Sequence, residues 1–506
     1  MEDNLMGCSA ALCLVIFVAW KIIFRTKATS KNLPPGPPSL PMLGNILQIQ
    51  RPLFRFFHSL SLKYGPIYTL RFGSQIAVVV SSLSGCQECF TKNDTILANR
   101  RPLLKTKHLA YNNKTVVMAP YGDYWRNLRR IISLDVLSVK RINSFLSIRN
   151  DEIKLLLRKL CRTCREDYAK VELRSVLVDM SFNAAMRMVW GQWFFNNESD
   201  VTDVEEVRRF REVMKESSAF DLGNVESNFG DFVPFFRWID YKDYQKRLRG
   251  IEKRLDDSFN QLIDLYRSKR RGMEGQNTMV EHLLASQETE PEFYTDDVVK
   301  ALILVMVASD NAAVALEWMM ANLVNHPDEL QKARDEIKAV VGEERLVQEA
   351  DVPKLGYIHN IIIESMRLCP PNPFLNVHVA SEDCRVEGYD VPRGTMVFVN
   401  AYGIHRDPRL WPEPARFKPE RYDRGEGDVR NLLSFGMGRR ACPGEALSLR
   451  TMGLATAVMI QCFDWKRVGE EALDLTAAHG LVMRKATPLE VLCKARPIIN
   501  KIQSQP

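Results

Sequence analysis

The ten residues from Phe435 to Gly444 read Phe-Gly-Met-Gly-Arg-Arg-Ala-Cys-Pro-Gly, and this stretch decides how the whole chain is interpreted. Its glycines allow positive φ angles and let the backbone pass close to a flat ligand. Pro443 suits the first position of a helix. Cys442 would then lie where amide donors and a helix dipole stabilise a thiolate, and Arg440 can pair with a carboxylate. The stretch therefore predicts a reactive or metal-binding thiolate beside a flat ligand.

Two other interpretations of this stretch agree less well with the sequence around it. Gly436, Gly438 and Ala441 fit a loose dinucleotide-binding fingerprint, which needs a preceding strand in a βαβ unit and an acidic residue about 20 positions further on. The chain from Glu445 to Met459 has a helical pattern instead. A plain structural turn is the second alternative, but it would not explain the motifs that accompany the stretch elsewhere in the chain.

The pattern FxxGxRxCxG resembles the haem-ligand loop of the cytochrome P450 superfamily at every fixed position. The resemblance implies a haem b cofactor with Cys442 as the axial thiolate ligand of the iron. It covers nearly the whole chain and points to plant microsomal cytochromes P450, in the group that includes isoflavone hydroxylases, methylenedioxy-bridge synthases and phenol-coupling enzymes. The implied fold is mainly α with a small β-rich lobe, in one catalytic domain behind an N-terminal transmembrane helix.

Two further motifs support the resemblance by their order and spacing. Residues 364–367, Glu-Ser-Met-Arg, are similar to the family's ExxR helix, and residues 417–422, Phe-Lys-Pro-Glu-Arg-Tyr, to its PERF segment with Tyr in place of the last Phe. The resemblance implies that Glu364, Arg367 and Arg421 form a buried ion network behind the haem. Two guanidinium groups on one carboxylate specify geometry more reliably than they add stability.

Other positions that match the family imply contacts with the haem propionates. Residues 125–129, Trp-Arg-Asn-Leu-Arg, resemble the family's WxxxR helix. His378 occupies a further propionate-contacting position, although Val377 precedes it where plant relatives usually have Pro. The implied cofactor-binding residues are Trp125, Arg129, His378, Arg440 and Cys442.

A helical pattern from Thr295 to the residue before Pro327 is apolar on nearly all faces, which predicts a helix through the middle of a large domain. The family usually has Ala-Gly-Thr-Asp-Thr in this helix, whereas residues 307–311 read Val-Ala-Ser-Asp-Asn here. The implied catalytic residues are Asp310, Asn311 and Ser309. The Asn311 amide can orient a water but cannot relay a proton as a hydroxyl can, and Ser309 lies about 200° away around an ideal helix.

The resemblance implies a monooxygenase that receives NADPH-derived electrons from NADPH–cytochrome P450 reductase and oxidises a small hydrophobic or phenolic plant metabolite with O2. Basic residues Arg126, Arg130 and Arg439 could dock an acidic reductase or simply be solvated. Asn311 leaves two reaction types open, hydroxylation and radical chemistry such as phenol coupling or methylenedioxy-bridge formation. An oxygen-independent haem isomerase or dehydratase is the alternative enzyme class, and a non-catalytic haem-binding protein is a third.

The N-terminal residues predict a membrane anchor. Residues 5–20 carry no charge, and after Lys21 the apolar run continues to Phe24, close to the length of about 20 residues that a span needs. Positive charges follow the run, which predicts a cytosolic catalytic domain. A cleaved signal peptide would have its positive charge first. We expect an anchor at 1–26, a basic, proline-rich hinge at 27–44 and the haem-thiolate domain at 45–506, on the endoplasmic reticulum membrane.

Charge and cysteine content exclude other classes of protein. The 506 residues include 69 Lys and Arg against 62 Asp and Glu, a net charge of +7 without a long basic run, so nucleic acid is not an expected partner. Eleven cysteines in a chain of this length do not form a disulfide framework. The CxxC pairs Cys86/Cys89 and Cys161/Cys164 lie in helix-like stretches, which favours reduced thiols over a zinc site.

Overall fold

The computed structural model describes residues 32–164, 167–191, 205–219, 229–232, 243–269, 278–307 and 310–499. The predicted anchor at residues 1–26 and the predicted catalytic residue Ser309 lie outside the described residues. The α-helices are α1 (Leu53–Tyr64), α2 (Leu83–Phe90), α3 (Leu104–Leu109), α4 (Asp123–Ile131), α5 (Val139–Ser144), α6 (Leu146–Thr163), α7 (Leu173–Trp190), α8 (Glu205–Ala219), α9 (Phe229–Phe232), α10 (Tyr244–Lys269), α11 (Met279–Thr289), α12 (Asp296–Val307), α13 (Asn311–Asn325), α14 (Pro327–Val341), α15 (Gly356–Leu368), α16 (Ala401–Ile404) and α17 (Glu445–Cys462).

Three small sheets accompany the helices. The strands are β1 (Ile67–Phe72), β2 (Gln75–Val80), β3 (Ala169–Glu172), β4 (His378–Val379), β5 (Cys384–Val386), β6 (Tyr389–Val391), β7 (Met396–Val399), β8 (Phe463–Lys466) and β9 (Glu490–Ala495). They form a four-stranded sheet in the order β1-β2-β7-β4, a three-stranded sheet in the order β3-β9-β8, and the hairpin β5-β6. The predicted fold class, mainly helical with a small β-rich part, is confirmed.

The first two strands show why short apolar runs near the start of the chain form a hairpin. β1 and β2 pair antiparallel, with Ile67 opposite Val80 and Phe72 opposite Gln75. Their β-branched side chains fit a pleated, half-buried surface. β2 then pairs in parallel with β7, which brings residues more than 300 positions apart into one sheet, with Val80 opposite Val399. The proline-rich hinge is joined to this sheet, because the amide of Thr69 donates to the Pro35 carbonyl at 2.7 Å.

The described part of the central apolar stretch comprises two helices, with the non-helical residue Asp310 before the second. α12 ends at Val307 and α13 begins at Asn311, while Asp310 between them has φ −91° and ψ 7°, outside the helical range. Every residue of α13 from Ala313 to Val324 is buried, as expected for a helix that is apolar on all faces.

Helix α13 lies in the largest hydrophobic cluster of the described residues and packs there against α7, α15 and α17. Trp318 has no solvent exposure, and its indole N–H donates to the Met483 carbonyl at 2.6 Å. Helix α12 belongs to a second cluster with α4, α7, α10 and α11. The break at Asp310 therefore lies, along the chain, between the two main cores.

Within the described residues, one helical stretch is long and apolar enough to cross a membrane by length and composition, namely Asp296–Asn325. Most of it is buried inside the protein, which also fits a helix in the core of a large domain.

The two CxxC pairs do not meet each other. Cys86 and Cys89 are buried in α2, Cys161 is buried in α6, and Cys164 lies just after its end. The described residues contain no group of three or more His, Cys, Asp or Glu side chains that could hold a metal ion.

Candidate active site

The cysteine loop is closed by a hydrogen bond between its two ends. The amide of Cys442 donates to the carbonyl of Phe435 at 2.8 Å. Gly436 and Gly438 have φ angles of +77° and +70°, a region that favours glycine. At Gly438 a Cβ atom would lie 2.7 Å from a carboxylate oxygen of Asp94. Both the conformation and the space therefore require glycine, as predicted from the sequence.

Cys442 lies three residues before the first residue of helix α17. The helix begins at Glu445, so Pro443 is in the turn before it, not at the first helical position that the sequence suggested. Burial raises the pKa of the Cys442 thiol. The backbone N–H groups of Gly444 and Glu445 and the guanidinium of Arg129 act in the opposite direction, while the Glu445 carboxylate adds to the increase. The groups that favour a thiolate are thus a helix N-terminus and one arginine.

A cavity of about 1200 Å3 begins at this thiol and extends to the central helices and the C-terminal loop. Cys442 keeps accessible surface because it forms part of the cavity wall. The wall brings together all of the predicted site residues that the structure describes, which are Trp125, Arg129, Asp310, Asn311, His378, Arg440 and Cys442.

Arg440 is held in place by three backbone carbonyls. Its Nε donates to Ala98 at 2.9 Å, Nη1 to Val116 at 3.0 Å and Nη2 to Ala119 at 2.7 Å. The guanidinium carbon also lies 4.3 Å from the centre of the Trp125 ring, and the Trp125 indole donates to the same Val116 carbonyl at 2.9 Å. The position of this positive charge on the cavity wall is therefore fixed from both sides.

Two further arginines add to this positive wall. Arg129 donates to the carbonyl of Ala441, next to the cysteine, at 2.6 Å. Arg100, which the sequence interpretation missed, is 7% exposed and donates to the carbonyls of Asn376 and Val377 at 2.8 and 3.1 Å. It precedes another arginine and a proline, a pattern that in the sequence gives no sign of burial.

The three arginines share a preference for an anionic ligand. Burial, and secondarily the charge of Arg440, lowers the pKa of Arg100 to about 9. Burial, followed by the charge of Arg129, lowers the pKa of Arg440 to about 10. No carboxylate in the described part of the chain forms an ion pair with any of the three, whose hydrogen bonds go to backbone carbonyls. Buried charges are normally paired, so a ligand with two carboxylates, such as haem with its two propionates, fits this wall.

His378 lies in strand β4 among these cations. Its Nδ1 is 2.6 Å from the carbonyl oxygen of Leu97, and because a carbonyl can only accept, Nδ1 carries a proton. Burial, and then the charges of Arg100 and Arg440, holds the pKa of His378 well below its usual range. The imidazole is therefore neutral and presents an unprotonated Nε2. It could donate to a propionate only after gaining a second proton, which a nearby carboxylate favours.

The predicted catalytic residues Asp310 and Asn311 lie at the break between α12 and α13 and line the same cavity. The carboxylate of Asp310 forms an ion pair with Arg484, from the loop that precedes β9. Arg484 is the second site residue that the sequence interpretation missed. Its position in a loop near the C-terminus, far from Asp310 in the chain, left no local pattern from which this contact could be predicted.

The predicted ion network behind the cysteine loop is confirmed. Glu364 accepts two hydrogen bonds from Arg367, at 2.8 and 2.9 Å, and two from Nε of Arg421, at 3.0 and 3.1 Å. All three side chains are completely buried. Tyr422, which replaces the family's usual Phe, donates its hydroxyl to Glu364 at 3.2 Å, and the backbone amide of Lys418 donates at 3.0 Å. The substitution therefore extends the network.

Comparisons with known proteins agree with this site. The Cytochrome P450 family model matches residues 34–492. Cytochrome P450 81E8 of Medicago truncatula is 49% identical over 95% of both chains. An isoflavone 2'-hydroxylase of Glycyrrhiza echinata is 46% identical over 97% of both. The (+)-piperitol/(+)-sesamin synthase CYP81Q2 of Sesamum radiatum is 43% identical over 100% of this chain and 99% of its own.

A solved structure supports the fold. A zebrafish cytochrome P450 determined with abiraterone superimposes with a TM-score of 0.72 at 24% identity, over 88% of this chain and 100% of its own. Sequence, fold and the thiol-and-arginine cavity thus point to the same haem-thiolate chemistry, driven by NADPH through a reductase. The chain is a member of the cytochrome P450 family and a monooxygenase.

Proposed function

We propose that this protein hydroxylates a small aromatic or phenolic plant metabolite, with Cys442 as the haem-iron ligand and Arg440, Arg129, Arg100 and Trp125 as the residues that hold the propionates. The observation that carries the proposal is the single cavity in which Cys442, this cationic wall and the Asp310 region meet. Haem in this position supplies oxygen activation with two electrons from NADPH. Relatives named isoflavone hydroxylases support an aromatic substrate.

The cavity wall has an apolar part, which suits the substrate, and a polar part formed by Asp310 and Asn311. Apolar side chains of the wall, among them Val117, Phe374, Leu375, Leu481 and Val482, suit a flat, mostly apolar ligand and exclude water. In the same cavity, the Asn311 amide can orient a water molecule through its NH2 and carbonyl groups. The Asp310 carboxylate, beside it, can accept and release protons.

Ring closure is the second candidate reaction, and Asn311 favours it. A hydroxyl that relays protons is absent at this position, and one relative is named a sesamin synthase. Hydroxylation follows RH + O2 + NADPH + H+ → ROH + H2O + NADP+. Closure of a methylenedioxy bridge or coupling of two phenols removes two hydrogens from the substrate and reduces O2 to two waters with the same NADPH. The oxygen-independent isomerase alternative is not favoured by these relatives.

Product masses separate these reactions. Microsomes that contain the full-length protein and a plant NADPH–cytochrome P450 reductase would be supplied with isoflavones, lignans and simple phenols. A gain of one oxygen that depends on NADPH would support hydroxylation, and a loss of two hydrogens would support closure or coupling. If the protein without reductase and NADPH converted a peroxide substrate as fast as it does with them, the reaction would need no electron supply. The monooxygenase proposal would then be wrong.

For the cellular setting, we propose a single-pass anchor in the endoplasmic reticulum membrane with a cytosolic catalytic domain, based on the apolar run and the basic residues after it. The reductase would approach the surface that carries Arg126 and Arg130, both exposed. Arg439, predicted as a third docking residue, is instead engaged by Asp94 at 2.8 Å and by the Tyr121 hydroxyl at 2.6 Å. Protease treatment of sealed microsomes tests the topology, since the catalytic domain should be digested without detergent.

A further inference from the structure

We infer that Arg484 is a positioning residue that fixes the Asp310 carboxylate, and that the two side chains act as one unit when protons are delivered to oxygen. The inference rests on the proposed function in one respect, because it takes Asp310 to lie on the oxygen-activating side of the cavity. The observation that led to it is the ion pair between Arg484 and Asp310, two residues that both line the cavity.

The Asp310 side chain does not cap the helix that follows it, although its position is that of an N-cap residue. It is the residue immediately before helix α13, where an aspartate usually accepts hydrogen bonds from the first backbone amides of the helix. Its side chain makes no such capping bond. Its backbone, at φ −91° and ψ 7°, lies in a sparsely populated region that is frequent in active sites. The carboxylate is instead directed to Arg484.

Arg484 is held on the other side by a loop with a defined conformation. The backbone amide of Ala478 donates to the Arg484 carbonyl at 2.7 Å, and the amide of Met483 donates to Pro371 at 2.8 Å. The Met483 carbonyl in turn accepts the Trp318 indole at 2.6 Å, and Trp318 is a buried residue of α13 itself. The loop and the helix that follows Asp310 are therefore attached at two points, and the ion pair is the point at the cavity.

Two other arginines of the cavity wall already have carboxylate partners of their own. Arg174 pairs with Glu317 at 3.0 Å, and Arg211 pairs with Asp179. Among the described residues, Arg484 is the cation that pairs with Asp310. The position of the Asp310 carboxylate is important because the neighbouring Asn311 amide cannot relay a proton. The carboxylate beside it is an ionisable group that can. A misplacement of about 1 Å in such a group can lower a rate about 100-fold.

Proton delivery can be measured without an organic substrate, from how much O2 is reduced to hydrogen peroxide and how much to water. Delivery of two protons gives O2 + NADPH + H+ → H2O2 + NADP+, one NADPH per O2. Complete reduction gives O2 + 2 NADPH + 2 H+ → 2 H2O + 2 NADP+, two NADPH per O2. The ratio of NADPH to O2 consumed and the hydrogen peroxide released would be measured with full-length holoprotein and reductase. This test does not depend on finding a substrate. If no compound of the panel were converted, only the proposed function would be contradicted.

The variants Asp310→Asn, Arg484→Gln and their combination form a cycle. We expect each single change to lower the NADPH-to-O2 ratio and the double change to add nothing, a coupling of about tenfold in the peroxide-to-water partition, within the range for residues in direct contact. Arg484→Lys should restore part of the ratio. Lys170→Gln is the control, since Lys170 pairs with Glu490 at 2.7 Å and both side chains are about half exposed. Additive single effects, or an unchanged ratio in Arg484→Gln, would overturn the inference.

A structural readout completes the test. Hydrogen–deuterium exchange of the holoprotein should be faster in the loop 478–489 when Asp310 is changed to Asn, although the substitution is not in that loop. It should not change in the Lys170→Gln control. Unchanged exchange in the loop of Asp310→Asn would mean that the ion pair does not fix the loop, and the positioning role would be refuted.

Discussion

The Arg440 guanidinium stacks 4.3 Å from the centre of the Trp125 ring while both side chains donate to one acceptor, the Val116 carbonyl. Arg440 belongs to the cysteine loop and Trp125 to α4, so a single carbonyl joins two segments that are far apart in the chain. Stacking on an aromatic face adds a cation–π attraction and keeps the guanidinium plane in one orientation. The pair therefore presents a preorganised cation to the cavity.

Removal of this cation should weaken haem retention. We expect Arg440→Leu to lower the affinity for haem by about 10- to 100-fold, because a charge-assisted hydrogen bond contributes about 1.5–3 kcal/mol. Haem content and the rate of haem transfer to apomyoglobin measure the effect. Arg439→Leu is the matched control, since the neighbouring arginine already pairs with Asp94. Equal haem loss in both variants would contradict the assignment of Arg440 to a propionate.

The thiolate assignment is tested by Cys442→Ser. A serine hydroxyl is far less acidic than a thiol and is a poor donor to haem iron, so the reduced carbon-monoxide complex should lose the Soret band of a thiolate-ligated haem, and NADPH-dependent turnover should cease. Cys384→Ser is the control, because Cys384 is half-buried outside the cavity wall and burial raises the pKa of its thiol to about 11. A normal spectrum with full turnover in Cys442→Ser would refute the assignment.

The buried network makes a prediction about stability. Glu364→Ala leaves Arg367 and Arg421 buried without their carboxylate, which should lower the free energy of unfolding by about 3–5 kcal/mol. Tyr422→Phe removes only one hydroxyl donor to Glu364 and should cost about 1 kcal/mol. Thermal unfolding of the holoproteins, followed by circular dichroism, ranks the two variants. A Tyr422→Phe protein as unstable as Glu364→Ala would show that the hydroxyl, not the ion network, dominates.

Much of this site could be predicted because its signals are local in the sequence. The glycines of the cysteine loop, the i,i+3 pair of Glu364 and Arg367, and the spacing of Trp125 and Arg129 lie within short segments. Each contact depends on the geometry of one turn or one helix, which residue type and spacing largely determine.

The residues that were missed depend on the tertiary arrangement instead. Arg100 becomes part of the cationic wall only because its segment crosses the residues before β4, and Arg484 reaches Asp310 from a loop near the C-terminus. The break at Asp310 was also missed, because hydrophobic periodicity continues unchanged through it. A side-chain contact with Arg484 can stabilise a backbone conformation that no local pattern indicates.

A buried histidine predicts how stability depends on pH. His405 accepts a hydrogen bond at Nε2 from the Leu433 amide at 2.9 Å, and burial, then the charges of Arg367 and Arg406, lowers its pKa to about 3. The unfolded chain, with a histidine pKa of about 6.5, binds the extra proton first. Stability should therefore be insensitive to His405 above about pH 6.5 and fall by about 1.4 kcal/mol per pH unit as the pH decreases further.

His405→Gln tests this dependence, because glutamine keeps an acceptor for the Leu433 amide but does not titrate. The variant should be less stable than the wild type at neutral pH, owing to imperfect packing. Its unfolding free energy should decline less steeply between about pH 6 and pH 4.5, by the slope of one proton. Denaturant unfolding at a series of pH values provides the measurement. Parallel pH profiles for the two proteins would show that His405 is not a group that drives acid destabilisation.

Asn311→Thr addresses the choice between hydroxylation and ring closure. A threonine hydroxyl at this position can both accept and donate a proton, which an amide cannot. If the missing relay directs the wild type toward closure or coupling, the ratio of hydroxylated to closed product should rise about tenfold, below the contribution of about 100-fold from a well-placed proton donor. Asn311→Ala, which removes the amide without adding a relay, should not produce this rise. The ratio of the two products would be measured by mass spectrometry. An equal increase of both products in Asn311→Thr would mean that residue 311 affects overall turnover and not the type of reaction.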